Sequence, residues 1–182
     1  MLISNKSGRL RTGRVSQVGG VYLLTAVVNR REPIFDDWRL GRLVVRQFRD
    51  AHEDEWVDSL AFVVMPDHLH WLVQLRDKTL AEVMCRLKSR SSLAVNRALG
   101  RKGRLWQKGY HDRGVRREED LKDFARYVVL NPLRAGLVKR IHDFGMFGGC
   151  RSVTQPRQGR RYRLDAHRAT PKVWVVAAAE RK

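Results

Sequence analysis

The chain has 182 residues, and 37 Lys+Arg against 19 Asp+Glu give it a formal net charge of +18. That length accommodates one domain, or one domain with a tail, and a hydrophobic fraction of 43% excludes a wholly disordered polyelectrolyte. Two cysteines, Cys85 and Cys150, cannot build a disulfide framework, and the longest apolar runs, residues 21–28 and 173–179, are too short to span a bilayer. A cytoplasmic protein with reduced thiols and no membrane partner is expected.

In chain order, Gly19-Gly20 precedes a β-branched and apolar run at 21–28, which predicts a first, buried strand. Leu40, Leu43, Val44, Phe48 and Ala51 then recur at helical spacing behind the caps Asp36 or Asp37, predicting a helix that ends near Glu53-Asp54-Glu55. Segments 56–65 and 68–75 read as strands joined through Pro66-Asp67 into an antiparallel hairpin. Leu80, Val83, Met84, Leu87, Ala94, Val95 and Ala98 trace a second helix closed by Gly100. Residues 106–117 read as a fourth strand, and Glu118-Glu119-Asp120 opens a third helix with favourable dipole placement. The order βαββαβ followed by a helix predicts an α+β, ferredoxin-like antiparallel sheet with helices on one face, leaving the other face for a ligand. Residues 1–150 read as the folded domain and 151–182 as a basic C-terminal tail, in which 155–163 is an arginine-rich linker or DNA-contacting run.

The positive charge is segregated. Residues 1–16, 86–117 and 151–182 carry +4, +10 and +7, leaving a net −3 for the rest of the chain. Segregated charge is the footprint of a phosphate-backbone binder, because each neutralised phosphate releases condensed counterions. No basic amphipathic helix with an aromatic face points to a membrane surface instead.

His68-Leu69-His70 places two imidazoles at i and i+2 on one face of a strand, where they could share a metal ion; as a bare pair, structural or solvent-facing histidines are the simpler reading. Leu121, Phe124, Ala125 and Val128 form the apolar stripe of the third helix, which directs Tyr127 away from it. Tyr127 and Asn131, four residues apart, share a helical face about 6 Å apart along the axis. Asn131 could equally cap a short helix beginning at Pro132, and Asp67 serves the turn or supports an imidazole.

Met65-Pro66-Asp67-His68-Leu69-His70, followed by Tyr127-Val128-Val129-Leu130-Asn131-Pro132-Leu133-Arg134-Ala135-Gly136-Leu137-Val138, resembles the single-tyrosine HUH transposases, specifically the REP-associated tyrosine transposase branch. The resemblance covers the chain from the first strand through Val138. It implies that His68, His70 and Asn131 hold a divalent metal, Mg²⁺ or Mn²⁺, and that Tyr127, on a catalytic helix, is the nucleophile. It further implies cleavage and rejoining of single-stranded DNA beside hairpins formed by repetitive extragenic palindromes, through a 5′-phosphotyrosine, by a monomer or a homodimer. Arg86, Arg90, Arg97, Arg101, Lys102 and Arg104 are candidates for the hairpin backbone, and Tyr110 and His111 for stacking or positioning; Trp106 reads as core. Two rival readings are a noncatalytic, domesticated DNA or RNA hairpin-binding protein, and a hydrolytic nuclease, against which the lack of a carboxylate cluster for two metals argues.

Overall fold

In a computed structural model, residues 16–116, 118–139 and 175–176 are described. The elements are β1 (Val21–Val27), α1 (Trp38–Glu53), β2 (Val57–Met65), β3 (His68–Leu75), α2 (Leu80–Ala98), β4 (His111–Val115), α3 (Glu118–Arg134) and β5 (Val175–Val176), with short 3₁₀ turns at Asn29–Arg31 and Ile34–Asp36. Strand order is β4-β1-β3-β2-β5. The first four strands pair antiparallel, and β5 adds in parallel at Phe62 and Val63 of β2. This is the expected α+β, ferredoxin-like sheet. The 150/151 boundary and the 155–163 run lie outside the described residues, whereas Val175–Val176, within the segment read as a tail, joins the sheet.

Local chemistry sets the element ends. The Asp37 carboxylate accepts from the Arg39 amide at 2.9 Å and caps α1. Thr79 and Glu82 form a reciprocal capping box at the start of α2, which closes before Gly100, where φ is +61°. β4 is shorter than the 106–117 strand that sequence predicts. The Lys88 ammonium donates to the carbonyls of Gln107 (2.7 Å) and Gly109 (2.6 Å) and draws this stretch onto α2, while Trp106 forms a single bridge to Val28. Trp106 is core, as expected. It packs on Phe35 with ring centroids 5.4 Å apart, and its indole N–H donates to the Ser91 hydroxyl at 2.9 Å.

Alternation along the strands builds two cores. Leu24, Ala26, Val28, Phe62, Val64, Leu69, Trp71 and Val73 enter the layer under α1 and α2. Leu23, Ala61, Val63, Met65 and Leu72 enter the opposite layer, where they meet Val128 of α3. The face expected to be open is therefore covered in part by α3, because Leu121, Phe124, Ala125 and Val128 also need a surface to bury against.

Candidate active site

β1 and β3 pair so that Thr25 lies opposite His70, and β4 extends the row by placing His111 opposite Thr25. Paired residues share a face, so His70, Thr25 and His111 all project toward α3, with His68 two residues along the same strand. Leu69, between the histidines, is fully buried in the other layer.

The rings of His68 and His70 lie 5.0 Å apart, and the Tyr127 ring is 5.4 Å from His70. Tyr127 is not directed clear of the packing stripe, as the helical wheel suggests. It flanks the apolar stripe, packs at the border of the smaller core and faces the imidazole. Arg134, two turns on, places its guanidinium 5.7 Å from the Tyr127 ring. The reading of Asn131 as a cap for a new helix is corrected here. The backbone stays helical past Pro132, the Ala135 amide donates to the Asn131 carbonyl at 2.9 Å, and α3 ends at Arg134. Asn131 is therefore an interior helical residue one turn from Tyr127. It is buried.

Each imidazole is held through Nδ1. The Asp67 carboxylate accepts from His68 Nδ1 at 2.6 Å and is itself gripped by Arg31 at 2.8 Å. Burial works to raise the Asp67 carboxyl, but the hydrogen bonds from His68 and Arg31 outweigh it and hold the group below the ordinary carboxylate range. The charged carboxylate orients the His68 ring and leaves Nε2 as the nitrogen turned away from it. His70 Nδ1 meets the Thr25 hydroxyl at 2.8 Å, which again leaves Nε2 free. Burial, reinforced by the neighbouring His68, lowers the His70 imidazole to about 4, so it is neutral at physiological pH. Arg31 reaches Asp67 from a backbone of φ 54°, next to Arg30 at φ 57°, a left-handed pair without glycine.

Two imidazole nitrogens and an amide oxygen are a donor set that fits a divalent cation with open positions. Among the described residues no group of three or more His, Cys, Asp or Glu gathers to hold a metal. A bound ion would thus depend on this set and on substrate oxygens. Beside it opens a cavity of about 580 Å³, lined by Thr25, His70 and His111 on the sheet and by Asp120, Asp123, Phe124 and Tyr127 on α3. Sequence reasoning missed Thr25, Asp120, Asp123 and Arg31. Only Asp67 left a local signal, by adjoining His68, since the other contacts depend on which strands pair.

The structure divides the expected DNA contacts. Arg86 packs on the Trp56 ring at 4.3 Å and is bonded to Asp54, and Arg101 bonds Asn96 and Glu32, each at 3.2 Å. These two are committed within the protein. Arg90, Arg97, Lys102 and Arg104 are exposed, Tyr110 packs against the larger core, and His111 lines the cavity. Among the described residues no helix is long and apolar enough to cross a membrane.

The model of the family described as "Transposase IS200 like" matches residues 17–130. A Haemophilus influenzae protein assigned as a REP-associated tyrosine transposase is 25% identical over 142 residues, covering 69% of this chain and 77% of the relative. The Escherichia coli REP-associated tyrosine transposase is 27% identical over 86 residues, covering 46% of this chain and 49% of the relative. Among solved structures, a REP-associated tyrosine transposase bound to a REP hairpin matches with a TM-score of 0.58 at 21% identity, over 70% of this chain and 75% of that one.

Proposed function

This chain belongs to the IS200-like transposase family, and on that premise we propose that it cleaves and rejoins single-stranded DNA beside a hairpin, with Tyr127 as nucleophile. The observation that carries this reading is the convergence of His68, His70 and Tyr127, from two elements far apart in sequence, within ring-to-ring distances of 5.0 and 5.4 Å. The hairpin is supported by the fold-matched transposase, which holds a REP hairpin, and by this chain's +18 charge.

His68 and His70 would hold a divalent metal through Nε2, with Asn131 as the amide donor. When bound, the metal supplies Lewis acidity and orients the phosphate. Thr25 and Asp67 keep the imidazoles turned, and burial keeps His70 neutral. Tyr127 attacks phosphorus: its oxygen forms the new P–O bond, its hydroxyl proton leaves to solvent, and as the bond to the 3′-oxygen breaks that oxygen takes a proton from solvent and leaves as a 3′-hydroxyl. One phosphodiester replaces another, so the step is close to isoenergetic and its reverse rejoins a strand without a nucleotide cofactor. The cavity beside Tyr127 accommodates the nucleotide flanking the scissile phosphate, which must be unpaired to enter it.

Incubation of the full chain with a hairpin-bearing single-stranded oligonucleotide and Mg²⁺ or Mn²⁺ should give a covalent protein–DNA adduct that resists denaturing electrophoresis. No adduct from wild type, or equal adduct from Tyr127→Phe, would refute this mechanism. Hairpin binding without adduct would favour the noncatalytic reading, and free cleaved ends independent of Tyr127 the hydrolytic one.

A further inference from the structure

We propose that α1 carries the docking surface for the duplex stem of the folded DNA strand, through Arg39, Arg42 and Arg46; this rests on the hairpin reading above. All three are exposed and lie on one side of the helix, opposite the buried Leu40, Val44 and Phe48. Among the described residues none of them has a carboxylate partner, in contrast with Arg86 and Arg101. The acidic residues of α1 sit at its far end, where Arg49 lies near Asp50 (3.8 Å) and Glu53 (3.7 Å). Trp38, on the first turn, lies between Arg39 and Arg42, whose guanidinium carbons are 5.6 and 5.4 Å from its ring. Stacking restricts these side chains before DNA arrives, which lowers the entropy lost on binding.

The spacing fits a phosphate backbone. From Arg39 to Arg46 the helix rises about 10.5 Å, a length over which one DNA strand presents about three phosphates. The placement fits too. The Phe35 amide donates to the Pro66 carbonyl at 3.0 Å, which pins the start of α1 to the turn preceding His68. Arg31, whose side chain is 65% exposed, occupies the same rim. Lys102 and Arg104 come to that rim as well, on a loop tied down by the Asn29 amide on the Leu105 carbonyl (2.7 Å) and by the Arg101–Glu32 pair. A line of cations thus runs from the end of the sheet that holds His68 down the outside of α1. A stem lying there would lead its unpaired flank around that end of the sheet, from the α1 face to the α3 face that carries Tyr127.

The test measures binding of the full chain by fluorescence anisotropy, against salt between about 50 and 200 mM. Two probes are compared: a hairpin oligonucleotide with an unpaired 5′ flank, and the flank alone. For Arg39→Gln/Arg42→Gln/Arg46→Gln, the slope of log K against log salt on the hairpin should shrink by about 2 to 3, close to 0.9 for each phosphate that is no longer neutralised, with the flank unchanged. The Arg→Lys triple variant should keep the slope, and an unchanged thermal melt should accompany both. A Gln variant that keeps the wild-type hairpin slope, or loses as much on the flank alone, overturns the docking surface while leaving hairpin preference intact. Wild type binding both probes equally overturns the hairpin reading and this surface together.

Discussion

Along β3, Leu69 and Trp71 enter one layer while His68 and His70 enter the other, so neighbouring residues of one strand have opposite duties. Beneath α1 and α2 the sheet is buried and aromatic: Phe48 packs on Phe62 and Trp71 at 4.6 and 4.7 Å, and the Trp71 N–H donates to Ser59 at 3.1 Å. Beneath α3 the apolar contact is smaller, and imidazoles, a tyrosine and a cavity interrupt it. The contrast teaches that the larger core can hold the sheet while the α3 side keeps polar groups that a core would not tolerate. If so, stability and chemistry should be separable by residue parity along a single strand.

Tyr127→Phe should give the largest functional effect, abolishing the adduct with no more than a small change in the thermal midpoint. A large drop in that midpoint would merge the two faces. Trp71→Ala, one residue from His70 but in the other layer, should cost about 3–5 kcal/mol in urea unfolding, because it empties a fully buried site and removes the indole N–H that donates to the Ser59 hydroxyl. The His70 imidazole should show in the pH dependence of stability. Its folded-state value of about 4 lies below the ordinary 6.5, so the unfolded chain binds the proton more tightly and stability is lost as pH falls from about 6.5 toward 4. The loss should approach ~3 kcal/mol in chelator-treated protein and flatten in His70→Gln, as read by urea midpoints across that window. Asp67→Asn should weaken Mn²⁺ binding measured by calorimetry about 10- to 100-fold with little change in stability. Undiminished Mn²⁺ affinity would show that the carboxylate does not orient His68.

Much of this contrast was legible beforehand. The two layers follow from the period-two pattern of β1 and the β2–β3 hairpin, and α1 starts behind the Asp37 cap and ends at Glu53 as its caps and stripe indicate. The pairing of His68-Leu69-His70 with Tyr127 was legible as a resemblance. What sequence could not supply was contact between distant segments: Thr25 beside His70 needs the strand order, and Arg31 beside Asp67 spans 36 residues. The arginines of α1 were hidden because residues 36–55 carry four Arg against six Asp+Glu, a net −2, and only the folded helix separates the two signs. Pro132 misled locally. A proline favours a break before it, yet burial of Val128, Asn131 and Pro132 against the sheet outweighs that preference and keeps Asn131 inside α3.

The left-handed pair Arg30 and Arg31 carries a lesson for anyone redesigning this chain for heat resistance. Each non-glycine residue there costs on the order of 1 kcal/mol, so both positions invite glycine. At position 30, where no side-chain contact opposes the change among the described residues, Arg30→Gly should raise the melting temperature and leave Mn²⁺ affinity alone. At position 31 the same relief would release the carboxylate that steers His68, so a screen for ruggedness alone would select a hardier protein with a slackened His68.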